Sequence, residues 1–569
     1  MIPPTAGRPF HERLGPALAI GAGLLAALAL GLRYDFILED TFISLRYARH
    51  LRQGFGPVYN PGEEPVEGYT NFLWMLLGAA HFFFTAQPER WFLLYNRLLG
   101  LGLVLAVGRE LIARRLGRWV WLGVGLVALD PDTPAWMAGG LETHLFALLV
   151  LVGLGRNLRE EYEPASAARP WSAAILALAL LTRPEGYLLA GVAAGAMIAR
   201  RLGPGTRAPG GWGRLVLGWG VVAGVGATHL IGRRLYYGAW VPNTFVAKVP
   251  GPYFEKGLPY VGLFYAYRHG HWGVTAALAL ATLGLAAWRP RRPAAPQMAI
   301  LTIAIGLMTF YQAYVGGDAF QFRLFMPVVP LMAILIPMAL AGLESLAEEL
   351  PPPRRRWARP GLWALGAALL LRPLHATLGL ADYDPLRRLN SYPAQDYQDW
   401  NWTERLRPMG LWLRAFARPG EPIAVTAAGV IPYLSDLPTV DMHGLNDRRI
   451  ARRPIERRGM VGHERLAAFE DLTERGVVYV LDDIVTRASP ARWPEALRAD
   501  PASIFAQLFD GRWMRFRTTR DPAALRRDLR ARSAIIAAGP DEPQAAIRTI
   551  NLGNRSVFES RAAALMGPP

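Results

Sequence analysis

The chain has 569 residues, 52% of them hydrophobic, with a mean hydropathy of +0.16 and a formal net charge of +17. This is too apolar for an ordinary soluble enzyme, and the apolar residues are bunched into runs of about 15 to 22, the length that crosses a bilayer core. Cysteine is absent, which excludes disulfides, thiolate nucleophiles and Cys-ligated zinc. The charge does not point to nucleic acid: from 376 to 569 the 28 basic residues nearly match 24 acidic ones, so most of the excess lies in the apolar part, where basic residues set topology.

The predicted crossings run in order over 16–32, 91–108, 119–130, 143–155, 171–181, 187–199, 215–232, 272–288, 297–314, 324–343 and 361–374. The first reads as a retained anchor, because no small-residue cleavage site with a polar start follows it. The apolar stretch Asn71 to Thr85 reads as re-entrant or interfacial. With a cytoplasmic N-terminus, the inside linkers hold 18 Lys/Arg in 61 residues and the outside linkers 11 in 121, as topology rules require. A further crossing at 71–85 would reverse that contrast. The expected fold is a polytopic α-helical membrane protein of about 11 transmembrane helices over 1–375. A C-terminal extracytoplasmic α/β domain follows over 376–569.

In that C-terminal part, Pro422 to Thr426 and Val477 to Leu481 read as strands, and Ile504 to Phe516 as a hairpin turning at Asp510-Gly511. Arg465 to Phe469 and Pro494 to Arg498 read as helical.

Polar clusters mark the outer face. The richest is the loop from Tyr34 to Asn71, within an outer linker over 34–90. The others are Gly139 to Thr143, Thr182 to Gly186, Trp240 to Thr244 with Lys248, and Gly316 to Arg323. All fall at one end of the bundle, as a single membrane-surface site requires. Glu39 and Asp40 adjoin a crossing, and two buried neighbouring carboxylates repel, raising one pKa. Such a carboxylate suits proton abstraction from a sugar hydroxyl. The same acids with Asp318 suit a divalent cation, and a plain solvated acidic loop is the bland alternative.

Arg46, Arg49 and Arg52 form one basic stripe on a helix, for a phosphate, lipid headgroups or nearby acids. Arg323 suits a phosphate oxygen pair or an ion pair with Asp318. Lys248, one of very few lysines, points to the same phosphate. Glu142 reads as a helix-start residue or a substrate contact. His443 reads as structural or as a substrate contact from the C-terminal part. No phosphate-binding loop, dinucleotide fingerprint or HExxH motif is present, so the energy must arrive with the substrate.

Several stretches together resemble a known group. They are Glu39-Asp40-Thr41-Phe42-Ile43-Ser44-Leu45-Arg46-Tyr47, Val58-Tyr59-Asn60-Pro61-Gly62-Glu63 and Val66-Glu67-Gly68-Tyr69-Thr70-Asn71. Further along stand Gly140-Leu141-Glu142-Thr143, Thr182-Arg183-Pro184-Glu185-Gly186, Pro242-Asn243-Thr244-Phe245, Gly316-Gly317-Asp318 and Asp441-Met442-His443-Gly444-Leu445-Asn446-Asp447. The chain resembles the GT-C glycosyltransferases that use polyprenyl-phosphate sugars, and among them the mycobacterial terminal arabinofuranosyltransferases of the AftB type and their bacterial relatives. The resemblance runs in order to about Arg453.

It implies a GT-C fold, a lipid-side groove for the donor and a periplasmic acceptor, either an envelope polysaccharide or a glycolipid. It implies a location in the bacterial inner membrane and no nucleic-acid partner. The first-loop acidic pair then carries the base. The usual pattern is Asp-Asp and here the first is Glu39, so the base falls on Asp40 with Glu39 supporting. Arg323, Lys248 and Arg46 are expected at the donor phosphate. Tyr47, Asn60, Glu67, Tyr69, Asn71, Glu142, Asn243, Asp318 and His443 are expected at substrate. A divalent cation, if used, would fall on Asp40 and Asp318. A flippase or transporter of lipid-linked sugars and a non-catalytic envelope sugar-binding protein are the rival readings.

Overall fold

The computed structural model describes residues 10–162, 171–202, 211–288, 294–349 and 351–537. Every expected apolar segment is helical: Phe10–Gly31, Glu89–Ala113, Val120–Ala128, Thr143–Tyr162, Trp171–Thr182, Glu185–Leu202, Gly211–Tyr237, Trp272–Trp288, Ala294–Val315, Val328–Ala347 and Pro352–Thr377. Four of the described helices, within Leu14–Gly31, Glu89–Ala113, Ala294–Val315 and Val328–Ala347, are long and apolar enough to cross a membrane. The N-terminal nine residues, parts of four linkers and the end of the C-terminal part (538–569) lie outside the described residues.

The apolar stretch at 71–85 forms only a ten-residue helix, Phe72–His81, shorter than a full crossing, and the expected crossings at 119–130 and 171–181 are short in the same way, as helices Val120–Ala128 and Trp171–Thr182. Besides Trp402–Phe416 in the C-terminal part, one long helix departs from the sequence reading. Phe254–His269 stands where an outer linker is expected, and its mixed sequence, with Glu255, Lys256, Pro259 and Arg268, hides it from a hydropathy scan.

Beyond Thr377 the chain builds a six-stranded sheet. Strand β1 (Ile423–Val425) lies between β2 (Thr439–Asp441) and β3 (Tyr479–Leu481), parallel to both. Strand β4 (Thr486–Arg487) and the hairpin of β5 (Ser503–Gln507) and β6 (Trp513–Arg517) add antiparallel pairings. The hairpin turns at Asp510-Gly511 as the sequence requires, with Gly511 at φ +82°. Strands β1, β3 and the hairpin match their expected positions. Arg465 to Ala468 is not helical; the helix there begins at Phe469, and Arg465 is instead committed to the carbonyls of Arg453 and Ala247.

The carboxyl ends of β1 and β2 face the first outer loop. That loop is therefore no free excursion into solvent. Its helix Thr41–Arg52 buries Phe42, Leu45 and Tyr47 in the same apolar cluster as Ile423, Val425 and Tyr479 of the sheet. This segment is one of the joints between the end of the helical bundle and the sheet, and burial of its side chains fixes where Asp40 stands.

Candidate active site

The five polar clusters meet around one cavity of about 320 Å³. It is lined by Asp40 and Asn71 from the first loop, Glu142, Arg183 and Glu185, Lys248, and Asp318 with Arg323. Helix Gly211–Tyr237 adds His229 and Arg233, and the sheet-bearing part adds Leu445 and Val461.

Asp40 directly precedes helix Thr41–Arg52 but does not cap it with its side chain. Among the described residues its carboxylate accepts no hydrogen bond. It lines the cavity half-buried, with its acceptor capacity uncommitted. Its backbone is held by the turn opposite. Leu38 N–H donates to the Gly139 carbonyl at 2.9 Å, and the Thr41 hydroxyl donates to the same oxygen at 2.8 Å. Gly139 and Gly140 take φ of +84° and +77°, which lets that turn deliver Glu142 beside Asn71.

Glu142 is fully enclosed. It accepts from Asn71 Nδ2 at 2.8 Å and pairs with Arg183, which also reaches Glu185 at 3.0 Å. Burial alone would raise the Glu142 carboxyl, but Arg183, Arg323 and Asn71 hold it below its ordinary value. Ser44 donates to Asn71 Oδ1 at 3.0 Å, so the first-loop helix orients the amide.

Asp318 follows Gly316 and Gly317, both at positive φ. Its Oδ1 accepts from Ala319 N–H at 2.9 Å and its Oδ2 from Arg323 Nε at 2.9 Å. The Arg323 guanidinium also lies over the Phe320 ring, 4.4 Å from its centroid. Among the described residues, no group of three or more His, Cys, Asp or Glu side chains is placed to hold a metal ion. Asp318 is already occupied by Arg323, so the pair Asp40 and Asp318 makes a poor cation site.

Other expected contacts lie elsewhere. The Glu39 carboxylate turns from the cavity and accepts from the backbone N–H groups of Gly429 and Val430, the latter at 3.0 Å. Arg46 is buried: it donates to the carbonyls of Tyr59, Pro432 and Leu437 and to Asn60, so it ties the loop to the sheet and does not line the cavity. Asn60 binds both Thr439 backbone groups. The Tyr47 hydroxyl donates to the Val66 carbonyl and accepts from Gly68 N–H. Asn243 donates to the carbonyls of Gly444 and Leu445, and His443 contacts the Arg465 carbonyl. The remaining stripe arginines also face protein. Arg49 pairs with Asp436 at 2.7 Å, and Arg52 lies over the Phe83 ring.

A second, larger cavity of about 620 Å³ opens along helix Gly211–Tyr237. Its walls include Phe72, Leu181, Val221 and Val225 with the open face of Gly220, Gly224 and Gly232. Tyr69, His229 and Arg233 line both cavities. Glu67 lines only the second, in a buried pair with Arg233 at 2.5 Å.

Sequence reasoning noticed the hairpin Thr182 to Gly186 but did not assign Arg183 or Glu185. Arg183 joins two carboxylates there, and a lone basic residue between two crossings is the signal that marks it. His229 and Arg233 lie at the end of an apolar run and carry no motif.

Solved structures share this architecture. AglB of Archaeoglobus fulgidus, in complex with an inhibitory peptide and a dolichol-phosphate, matches with a TM-score of 0.52 at 12% identity, over 89% of this chain and 74% of that one. ArnT of Cupriavidus metallidurans in the apo state matches with a TM-score of 0.51 at 14% identity, over 88% and 97%. The chain therefore shares the fold of these two proteins. Among curated proteins, the chain is 30% identical over 365 residues to the terminal beta-(1->2)-arabinofuranosyltransferase of Corynebacterium glutamicum, covering 57% of this chain and 50% of that protein. It is 31% identical over 252 residues to the protein of the same name from Mycobacterium tuberculosis, covering 40% and 38%. The chain thus spans half or less of the length of these relatives, and the resemblance read from the motifs is matched by them. Residues 393–525 match a family described as a domain of unknown function (DUF8728).

Proposed function

We propose that this protein is an inverting glycosyltransferase. It moves a sugar, of which arabinofuranose is the first candidate, from a polyprenyl-phosphate donor to an envelope glycan or glycolipid. The reaction takes place on the outer face of the bacterial plasma membrane. The eleven apolar helices form the membrane unit over 1–375, with the N-terminus in the cytoplasm. Residues 376–569 are extracytoplasmic, and Leu445 and Val461 from this part line the site.

The observation that carries this reading is the uncommitted carboxylate of Asp40 in a cavity that also holds Arg323, Arg183 and Lys248. Asp40 takes the proton of an acceptor hydroxyl, whose oxygen attacks the anomeric carbon from the face opposite the phosphate. The C–O bond to polyprenyl phosphate breaks, and the leaving dianion stays beside Arg323 and Lys248. The second cavity supports the same reading, because an apolar channel that shares Tyr69, His229 and Arg233 with a charged pocket suits a lipid tail attached to a phosphate. Similarity to named arabinofuranosyltransferases supports the choice of sugar.

The test is transfer in detergent with a polyprenyl-phosphate arabinofuranose and an arabinan acceptor. A positioned general base contributes on the order of 10² to 10⁴ in rate, so Asp40→Asn should lose about that much. Product formation without a sealed membrane excludes a flippase, and turnover excludes a purely sugar-binding role. Undiminished transfer by Asp40→Asn removes the aspartate from the chemistry.

A further inference from the structure

The chain carries 62 basic residues, and only two of them, Lys248 and Lys256, are lysines. Everywhere else it uses arginine. Both lysines stand at the cavity. Lys248 lines it, with its carbon chain against Gly462, where a Cβ would meet the lysine Cε at 3.0 Å. Lys256 lies one layer behind, on the first turn of helix Phe254–His269. It is only 5% exposed, and its Nζ has no hydrogen-bond partner among the described residues. The cavity's arginines, by contrast, are committed: Arg183 to Glu142 and Glu185, Arg233 to Glu67, and Arg323 to Asp318.

Backbone packing fixes the helix that carries this ammonium. A Cβ on Gly257 would stand 2.0 Å from the Ala313 carbonyl oxygen, and one on Gly317 would stand 2.5 Å from the Tyr260 ring. The helix is thereby wedged against the loop that carries Asp318. The charged and titratable groups facing Lys256 are Asp318 from that loop, with Glu464 and His463 from the sheet-bearing part. Arg323 holds Asp318, and Arg458 holds Glu464 at 3.6 Å. Burial lowers the ammonium to about 8, while Asp318 and Glu464 pull it up. A buried charge with no hydrogen bond is costly unless some state of the protein supplies its partner.

We propose that Lys256 is the reserve counter-ion of Asp318: when Arg323 turns to the donor's phosphate, the Lys256 ammonium takes over the carboxylate. The guanidinium is then released to the ligand without leaving a bare buried anion. Lys256 is a positioning residue in this scheme, since it acts through Asp318 and Arg323. An ammonium suits the task better than a second guanidinium. It is compact, its three donors rotate, and it does not compete as a planar fork for the phosphate. The inference rests on the phosphate-donor reading above.

The test uses the full-length protein in detergent, with undecaprenyl phosphate alone as the probe, so that it does not depend on the sugar. Wild-type affinity should fall roughly tenfold between pH 7 and 9.5, as a lysine titrating in that range loses its charge. Lys256→Met should bind about tenfold more weakly at pH 7, with no further loss at high pH, and the two losses should vanish in the Asp318→Asn background, as coupled neighbours require. Asp318→Asn alone should show a flat pH profile, which carries the test if Lys256→Met does not fold. Failure of the wild type to bind the lipid phosphate overturns the donor reading itself. Binding by the wild type together with unaltered binding by Lys256→Met, or a steep pH profile in Asp318→Asn, overturns the role of Lys256 and leaves the donor reading standing.

Discussion

The Glu39 carboxylate ends on the backbone N–H of Gly429, although its neighbour Asp40 faces the cavity. Adjacent acids are thereby divided between two tasks. Glu39 satisfies the N–H groups that follow β1, and so seats the sheet on the first loop. Burial first, and the charge of Asp40 second, push the Glu39 carboxyl up to about 8.

A pair of variants separates these tasks. In Glu39→Gln the amide oxygen still accepts from Gly429 and Val430, so transfer should stay within about twofold of wild type, whereas Asp40→Asn loses on the order of 10² to 10⁴. The raised pKa also fixes a stability trend. The folded protein holds the Glu39 proton where the unfolded chain has released it, so wild-type stability falls as pH rises from the ordinary glutamate value to about 8. Asp441, also raised by burial, adds to the same trend. Glu39→Gln should flatten the Glu39 share of it, read as Tm against pH. A variant profile parallel to that of the wild type would count against this assignment.

Arg183 is the sole bridge between Glu142 and Glu185 among the described contacts, and both acids are buried. Arg183→Met should leave two carboxylates without their cation. Removing one partner of a buried pair costs about 3–5 kcal/mol, so thermal unfolding should move sharply downward and transfer should be lost with it. Arg183→Met with Glu185→Gln should recover part of the Tm. No recovery would mean that Arg183 acts through something other than these acids.

Much of the candidate site is legible because its polar residues sit in short, contiguous loops between apolar runs. Asp40, Asn71, Glu142, Lys248, Asp318 and Arg323 all come from clusters visible between apolar runs, and all line one cavity. What the sequence hides is direction. Arg46, Tyr47 and Asn60 share the polar character of Asp40, yet they pair with backbone carbonyls and amides: Arg46 and Asn60 with those of 432–439, Tyr47 with those of 66–68 in its own loop. Asn243 and His443 are drawn into the same seam. A polar motif between crossings is thus read equally by a substrate and by a docking surface, and only the tertiary contact tells them apart. Helix Phe254–His269 is hidden for a related reason: Glu255, Lys256, Pro259 and Arg268 break its apolar pattern.

Gly317 takes φ +77°, and a Cβ there would lie 2.5 Å from the Tyr260 ring. Gly317→Ala therefore meets a backbone penalty and a clash together, of about 1–3 kcal/mol. Because Asp318 is the next residue, the displacement should reach its pair with Arg323, raising the donor KM more than it lowers kcat. A variant with a lowered Tm but an unchanged donor KM would place that strain outside the donor subsite.

The second cavity can be tested without touching any charged group. Gly224 lies on its open wall, and no heavy atom stands within 4 Å of where its Cβ would be. Gly224→Trp should thus be accommodated in the helix, where replacing glycine is favourable rather than costly. The indole would occupy the channel that a polyprenyl chain needs. Each CH₂ excluded from an apolar wall forfeits about 0.8 kcal/mol, so loss of even a few should raise the KM for a long-chain donor by roughly tenfold or more. A donor carrying only one or two isoprene units does not reach far into the channel and should be used almost as well as by the wild type. Equal loss for long and short donors would show the substitution acting on the charged pocket through His229 and Arg233. No loss for either would place the lipid tail on another face of the bundle.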